Sequence, residues 1–202
     1  METIKYQFQL IQAIRNFFLE EGFDDVLTPP LVENPGMETH IHPFQIQGLS
    51  PYSRTQNEKI FLHTSPEFHM KNLLANNEDL KNIFTISYCF RDEPKSLIHR
   101  SQFLMLEWYR KHERYESIMQ DTQNLISYCQ DYFEEKNILK NKILSFPQVT
   151  VAELFRDTLN IEILDFLDKN ELKKMIQKDF KDVPLPDSCL LYTSDAADDS
   201  LR

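Results

Sequence analysis

The chain has 202 residues, of which 41% are hydrophobic and 12% aromatic, and carries a formal net charge of −10. That length fits one domain with a sizeable core, and the composition excludes a disordered chain. The acidic balance argues against a broad nucleic-acid surface, which needs clustered Lys and Arg.

Cys89, Cys129 and Cys189 show no metal-type spacing, so they suggest reduced thiols and a cytoplasmic setting rather than a disulfide framework. Only Gly22, Gly36 and Gly48 occur, which excludes a P-loop or a dinucleotide fingerprint. METIKYQFQLIQAIRN is interrupted by polar residues and is no signal peptide, and no run approaches the ~20 apolar residues of a membrane span.

Residues 5–21 place Phe8, Ile11, Ile14, Phe17 and Phe18 at helical spacing, with Gly22 as the stop. FDDVLTPPLV reads as a short extended segment, halted by Pro29 and Pro30. Residues 34–58 are rich in loop formers, and KIFLHT (59–64) predicts a strand. SPEFHMKNLLANN predicts a helix, with Ser65 as N-cap and Pro66 at its first position. Leu73 and Leu74 fall on the face of Met70, while His69 and Lys71 face solvent. IFTISYCF (83–90) and QFLMLEWY (102–109) predict two strands joined by a polar loop. Residues 115–136 predict a long helix with Ile118, Leu125, Ile126, Cys129 and Phe133 inward. A smaller helical region covers 143–181, with a helix near 168–180.

The ending PDSCLLYTSDAADDSLR continues no amphipathic period. The expected organisation is a partial catalytic-type domain over 1–186, then a non-native or disordered tail over 187–202, the genuine sequence stopping near Pro186.

Strand side chains alternate between faces. Thr85, Ser87, Cys89 and Arg91 therefore share one face of the first strand, and Phe84, Ile86, Tyr88 and Phe90 the other. In the second strand Phe103, Met105, Glu107 and Tyr109 oppose Leu104, Leu106 and Trp108. An antiparallel hairpin brings the apolar faces together, so Arg91, Phe103, Glu107 and Tyr109 gather on one open side. Arg holds phosphate bidentately, Phe stacks on a base, and Glu with Tyr holds an ammonium group. Glu67 has a simpler explanation as an acid favoured in a helix's first turn. His40 and His42, alternating without further ligands, do not define a metal site.

These residues resemble the class II aminoacyl-tRNA synthetases of the lysyl branch. They look most like the stand-alone paralogue that attaches β-lysine or lysine to a lysine of translation elongation factor P. GFDDVLTPPLV is similar to the first family motif, with Pro29 at a dimer interface. HTSPEFHMKNLL resembles the segment gripping the amino acid, with Ser65, Pro66 and Glu67 in it. FRDE and HRSQFLMLEWYR resemble the second motif, and EWYR is typical of the paralogue.

The resemblance implies an α+β fold, an antiparallel sheet flanked by helices and incomplete at the C-terminus. It implies ATP and Mg²⁺, with Arg91 on the α-phosphate as the catalytic group. It implies Asp92, Glu93, Arg100 and Phe103 around ATP, Glu93 at the adenine and Phe103 beneath it. Glu107, Tyr109 and Glu67 would seat lysine or β-lysine, elongation factor P would be the acceptor, and the protein would be a homodimer.

Arg100 and Gln102 stand where the family usually has Asn and an acid, and the Gly-rich third motif with its upstream Mg²⁺ acids is missing. Truncation accounts for that, and the fragment by itself is expected to be inactive. A true lysyl-tRNA synthetase is the first alternative. It carries a β-barrel ahead of the first motif, whereas here that helix starts close behind Met1, and the acidic charge disfavours tRNA. A non-catalytic synthetase-like paralogue is the second.

Overall fold

The computed structural model describes residues 2–36, 41–46, 59–92, 100–143 and 145–180. Helix α1 (Glu2–Glu20) ends where Gly22 takes φ 76°, a left-handed conformation that glycine adopts at no steric cost. There Gly22 N–H donates to Leu19 O and Phe23 N–H to Phe18 O, the paired bonds of a Schellman stop. Phe23 then packs edge-on against Phe18, with centroids 4.9 Å apart.

The chain continues through β1 (Asp24–Asp25), β2 (Leu31–Val32), β3 (Gln45–Ile46) and β4 (Ile60–Leu62). Helix α2 spans Glu67–Asn76, starting one residue later than its sequence suggests. Pro66 supplies the carbonyl that accepts Met70 N–H, while Ser65 Oγ accepts Glu67 N–H at 3.1 Å. Strands β5 (Asn82–Phe90) and β6 (Gln102–Arg110) and helix α3 (Tyr115–Glu135) follow.

Two sheets result, ordered β1-β5-β6 and β2-β4-β3. The β5–β6 pair is antiparallel, as the alternation predicts, with Phe84 opposite Trp108 and Ile86 opposite Leu106. Strand β1 adds a parallel pair, Asp24 opposite Ile83. The sheet is therefore not wholly antiparallel: the Gly22 turn delivers β1 to β5 in the same direction, and a parallel pair needs the long connection that separates them.

The core lies where α1 and α3 cover the Phe84–Trp108 face. Phe17, Phe18, Phe23, Phe84 and Leu125 are buried together, with Ile14, Leu106, Trp108, Tyr128 and Cys129 packed on them. Phe18 stacks on Phe84 at 4.8 Å. Burying one such ring contributes ~1.5–3 kcal/mol. The cluster grips only the C-terminal half of α1, so Phe8, which shares its stripe, stays exposed. The same face of β5 is uncovered toward its end, where Tyr88 is 52% exposed.

The described residues fall into two compact units that divide between Lys142 and Ile143. In the second, α4 (Val151–Leu159) opens with a capping box in which Thr150 Oγ1 accepts Glu153 N–H and the Glu153 carboxylate accepts Thr150 N–H. It closes on Asn160 at φ 55°. A 3₁₀ turn, Ile163–Phe166, leads to α5 (Lys169–Asp179), which is capped by Asp168. These elements match the helical region expected over 143–181. The segment 187–202 lies outside the described residues.

Candidate functional site

The hairpin register sets the site. Across the strands Cys89 faces Phe103, Ser87 faces Met105, Thr85 faces Glu107 and Ile83 faces Tyr109. Directly opposed residues share a face, so Phe103, Glu107 and Tyr109 stand on the side away from α1 and α3. Arg91 extends the ladder by one step, its N–H donating to Ser101 O at 3.0 Å.

This face is less open than the sequence suggests. Thr85 and Cys89 are buried, at 2% and 0% exposure. The segment after β4 crosses above them: Thr64 O accepts from Arg91 Nε at 3.4 Å, and Ser65 Oγ donates to Glu107 Oε2 at 3.3 Å. Pro66, which ends this crossing, and Met70, in the first turn of α2 behind it, are fully buried. Small side chains on β5 left room, and a neighbouring segment filled it.

Two clusters emerge along β6. At one end the Arg91 guanidinium lies 5.1 Å from the centroid of the Phe103 ring. Four residues further along, Glu107 accepts Tyr109 Oη–H on Oε1 at 3.0 Å and Ser65 Oγ–H on Oε2. At ~3.3 Å per strand residue the clusters are roughly 13 Å apart. Ser65 joins α2 to the second cluster, since its hydroxyl also accepts Glu67 N–H. Glu67 Oε1 pairs with Lys71 Nζ at 2.5 Å, so Lys71 faces solvent as expected but not alone.

Burial pushes the Glu107 carboxyl above its ordinary pKa. Hydrogen bonds from Tyr109 and Ser65 oppose that rise, nearby Glu67 adds to it, and Lys71 opposes it. Burial and then Glu107 drive the Tyr109 phenol up, so it keeps its proton and remains a donor. Cys89, buried beside Glu107, is raised to about 11. Two carboxylates, the Glu67 one already paired with Lys71, lie with a phenol and a hydroxyl partly screened from water, and their oxygens can accept hydrogen bonds from an ammonium group. Further along the same face, a guanidinium over an aromatic ring suits a phosphate and a planar base.

Of the residues picked from the sequence, Ser65, Glu67, Glu107 and Tyr109 are brought together, and Arg91 with Phe103. Arg91 covers one face of the Phe103 ring, so a base stacking on that face has to displace it. Pro66 is buried and shapes the turn. Asp92 and Arg100 are exposed; Asp92 N–H donates to His42 O at 2.7 Å. Glu93 and His40 lie outside the described residues. Sequence reasoning missed His63 and Thr64, which hold the crossing segment in place. The polar pair ending the KIFLHT strand was their only signal.

A family described as class II tRNA synthetases (D, K and N) matches residues 1–198. The elongation factor P–(R)-β-lysine ligase of Vibrio campbellii is 37% identical over 132 residues, 64% of this chain and 40% of that protein. A homologue of that ligase from Aquifex aeolicus is 34% identical over 149 residues, 72% of this chain and 44% of its own. The ligase of Proteus mirabilis is 31% identical over 170 residues, 84% and 48%. The chain thus spans less than half the length of these relatives. Asparaginyl-tRNA synthetase of Pyrococcus horikoshii, solved with asparaginyl-adenylate, shares the fold with a TM-score of 0.62 at 20% identity, over 87% of this chain and 42% of that one. With the hairpin, the crossing segment and a family match along almost its whole length, this chain belongs to the class II tRNA synthetases of the D, K and N group.

Proposed function

We propose that the protein takes part in ATP-dependent activation of lysine or (R)-β-lysine and transfer of the aminoacyl group to a lysine of elongation factor P. The names of the relatives support this, and one observation carries it: a carboxylate held by a phenol and a hydroxyl, and a guanidinium–aromatic pair, lie on one sheet face, roughly 13 Å apart. In the first step a carboxylate oxygen of the amino acid attacks the α-phosphorus, the bond to the β-phosphate bridge breaks, and pyrophosphate leaves. In the second the acceptor amine attacks the acyl carbon, AMP departs, and the amine loses a proton. No side-chain nucleophile is needed. Glu107 and Glu67 hold the substrate's ammonium groups, Tyr109 and Ser65 orient Glu107, and Arg91 neutralises charge growing on the α-phosphate.

Mg²⁺ accompanies ATP in this chemistry. Among the described residues no group of three or more His, Cys, Asp or Glu is placed to hold a metal ion, so no step is assigned to it. The reading includes a homodimer through residues 5–32, supported by exposed Phe8, Leu19, Leu27 and Leu31. It also includes a cytoplasmic setting; among the described residues no helix is long and apolar enough to cross a membrane. A tRNA acceptor is disfavoured by the net charge of −10.

The test is ATP–pyrophosphate exchange with lysine and with (R)-β-lysine, using the reading frame recovered in full from its locus and the 202 residues alone. Exchange is expected from the former and almost none from the latter. Arg91→Ala abolishes exchange, and Glu67→Gln raises the KM for the amino acid more than that for ATP. Offering elongation factor P and lysine tRNA side by side decides the acceptor. Charging of the tRNA with none of the protein overturns the reading.

A further inference from the structure

We propose that His63 is a positioning residue that sets the place of Arg91. This rests on the reading that Arg91 meets the α-phosphate.

The side chain is 2% exposed and sits where the two sheets join. Its backbone N–H donates to Pro30 O at 2.9 Å, at the approach to β2, and its carbonyl accepts Phe90 N–H at 3.1 Å, at the end of β5. Its ring adds a third tie, Nε2 to Tyr88 O at 2.7 Å. A carbonyl only accepts, so Nε2 carries the hydrogen. The ring is therefore fixed near the C-terminal end of the strand that delivers Arg91, while the next residue, Thr64, offers its carbonyl to Arg91 Nε. Arg91 is held from below through Phe90 and from the side through Thr64, and both holds run through His63.

Nδ1 is buried with no hydrogen-bond partner among the described residues. An unpaired buried polar atom is a standing cost. A position that served packing alone would be better filled by an apolar side chain. What the imidazole offers in return is the Nε2–H bond to Tyr88. Ser101 O and His42 O fix the backbone of Arg91 and Asp92, and Phe44 O accepts Leu62 N–H just ahead of the crossing, whereas the His63 ring bonds the end of β5 directly.

The experiment compares His63→Leu, His63→Asn and His63→Gln. The Gln amide nitrogen reaches the position of Nε2, whereas the shorter Asn amide does not. In the full-length protein, His63→Leu and His63→Asn are expected to raise the KM for ATP roughly ten- to hundredfold and leave the KM for lysine within about twofold, while His63→Gln stays near wild type. In the 202-residue chain, amide hydrogen exchange at Phe90 and Arg91 is expected to quicken in His63→Asn and not in His63→Gln, with Ile83–Ile86 unchanged. Unaltered exchange at Phe90 and Arg91 in His63→Asn overturns the proposal, as does an equal rise of both KM values. If the wild-type protein fails to use ATP while the exchange pattern appears, the functional reading falls and the tether stands. Should His63→Leu fail to fold, the Asn–Gln comparison still decides.

Discussion

Arg110 and Asp121 form a charge pair whose removal has a calculable cost. Arg110 Nε and Nη2 donate to the two Asp121 oxygens, each at 2.8 Å, and the guanidinium lies 4.4 Å from the Phe23 ring centroid. The side chains are 18% and 6% exposed. The pair ties the end of β6, one residue past Tyr109, to α3 and to the loop after α1. Asp121→Ala leaves the guanidinium against an aromatic ring without its carboxylate. Stranding a buried charge costs ~3–5 kcal/mol. The partial exposure of Arg110 lets water solvate it, which places the expected loss at the lower end, ~3 kcal/mol. Urea unfolding followed by the fluorescence of Trp108, the chain's single tryptophan, 5.4 Å from Phe18 in the core, reads it directly. The double variant Arg110→Met with Asp121→Leu restores most of the loss, because apolar residues of similar volume replace both partners. A loss below ~1 kcal/mol for Asp121→Ala, or a double variant no better than the single, refutes the argument and makes the pair equivalent to a surface bridge.

Three further outcomes are expected. Glu107 has a raised carboxyl pKa in the folded state, so folding takes up protons there and its burial costs stability above that pKa. Glu107→Gln therefore unfolds at a higher temperature than wild type near pH 7, and the gain shrinks as pH falls through the raised carboxyl pKa toward 4; a gain independent of pH contradicts the assignment. Cys89 and Cys129 are both pushed to about 11 by burial, leaving about one thiol in a thousand ionised at pH 8. Alkylation of the native protein read by mass spectrometry should leave both unmodified while a free-thiol peptide is consumed, and rapid labelling of Cys89 would count against a closed floor. Thr150→Ala removes one half of the α4 capping box and should cost ~1 kcal/mol locally, seen as faster hydrogen exchange over 151–154; unchanged exchange there refutes the cap's contribution.

The alternation along IFTISYCF and QFLMLEWY sufficed to sort side chains onto two faces and to place Phe103, Glu107 and Tyr109 together, because a strand's period of two is set by backbone geometry between nearest neighbours. Gly22 announced the end of α1 for the same local reason, since glycine adopts a left-handed conformation at no steric cost. The EWYR ending and the TSPE segment were legible as family marks. Tertiary structure alone decided what meets across long stretches of chain. Ser65 reaches Glu107, 42 positions away, and Thr64 O reaches Arg91, 27 away. That crossing closes the face over Thr85 and Cys89, which read as open because small polar residues look the same under solvent and under another segment. His63 passed as an ordinary strand end, and Asp121 was not singled out within its helix. Their roles depend on partners brought near by the packing of α1, α3 and two sheets, and no local spacing encodes a distance that the whole core has to set.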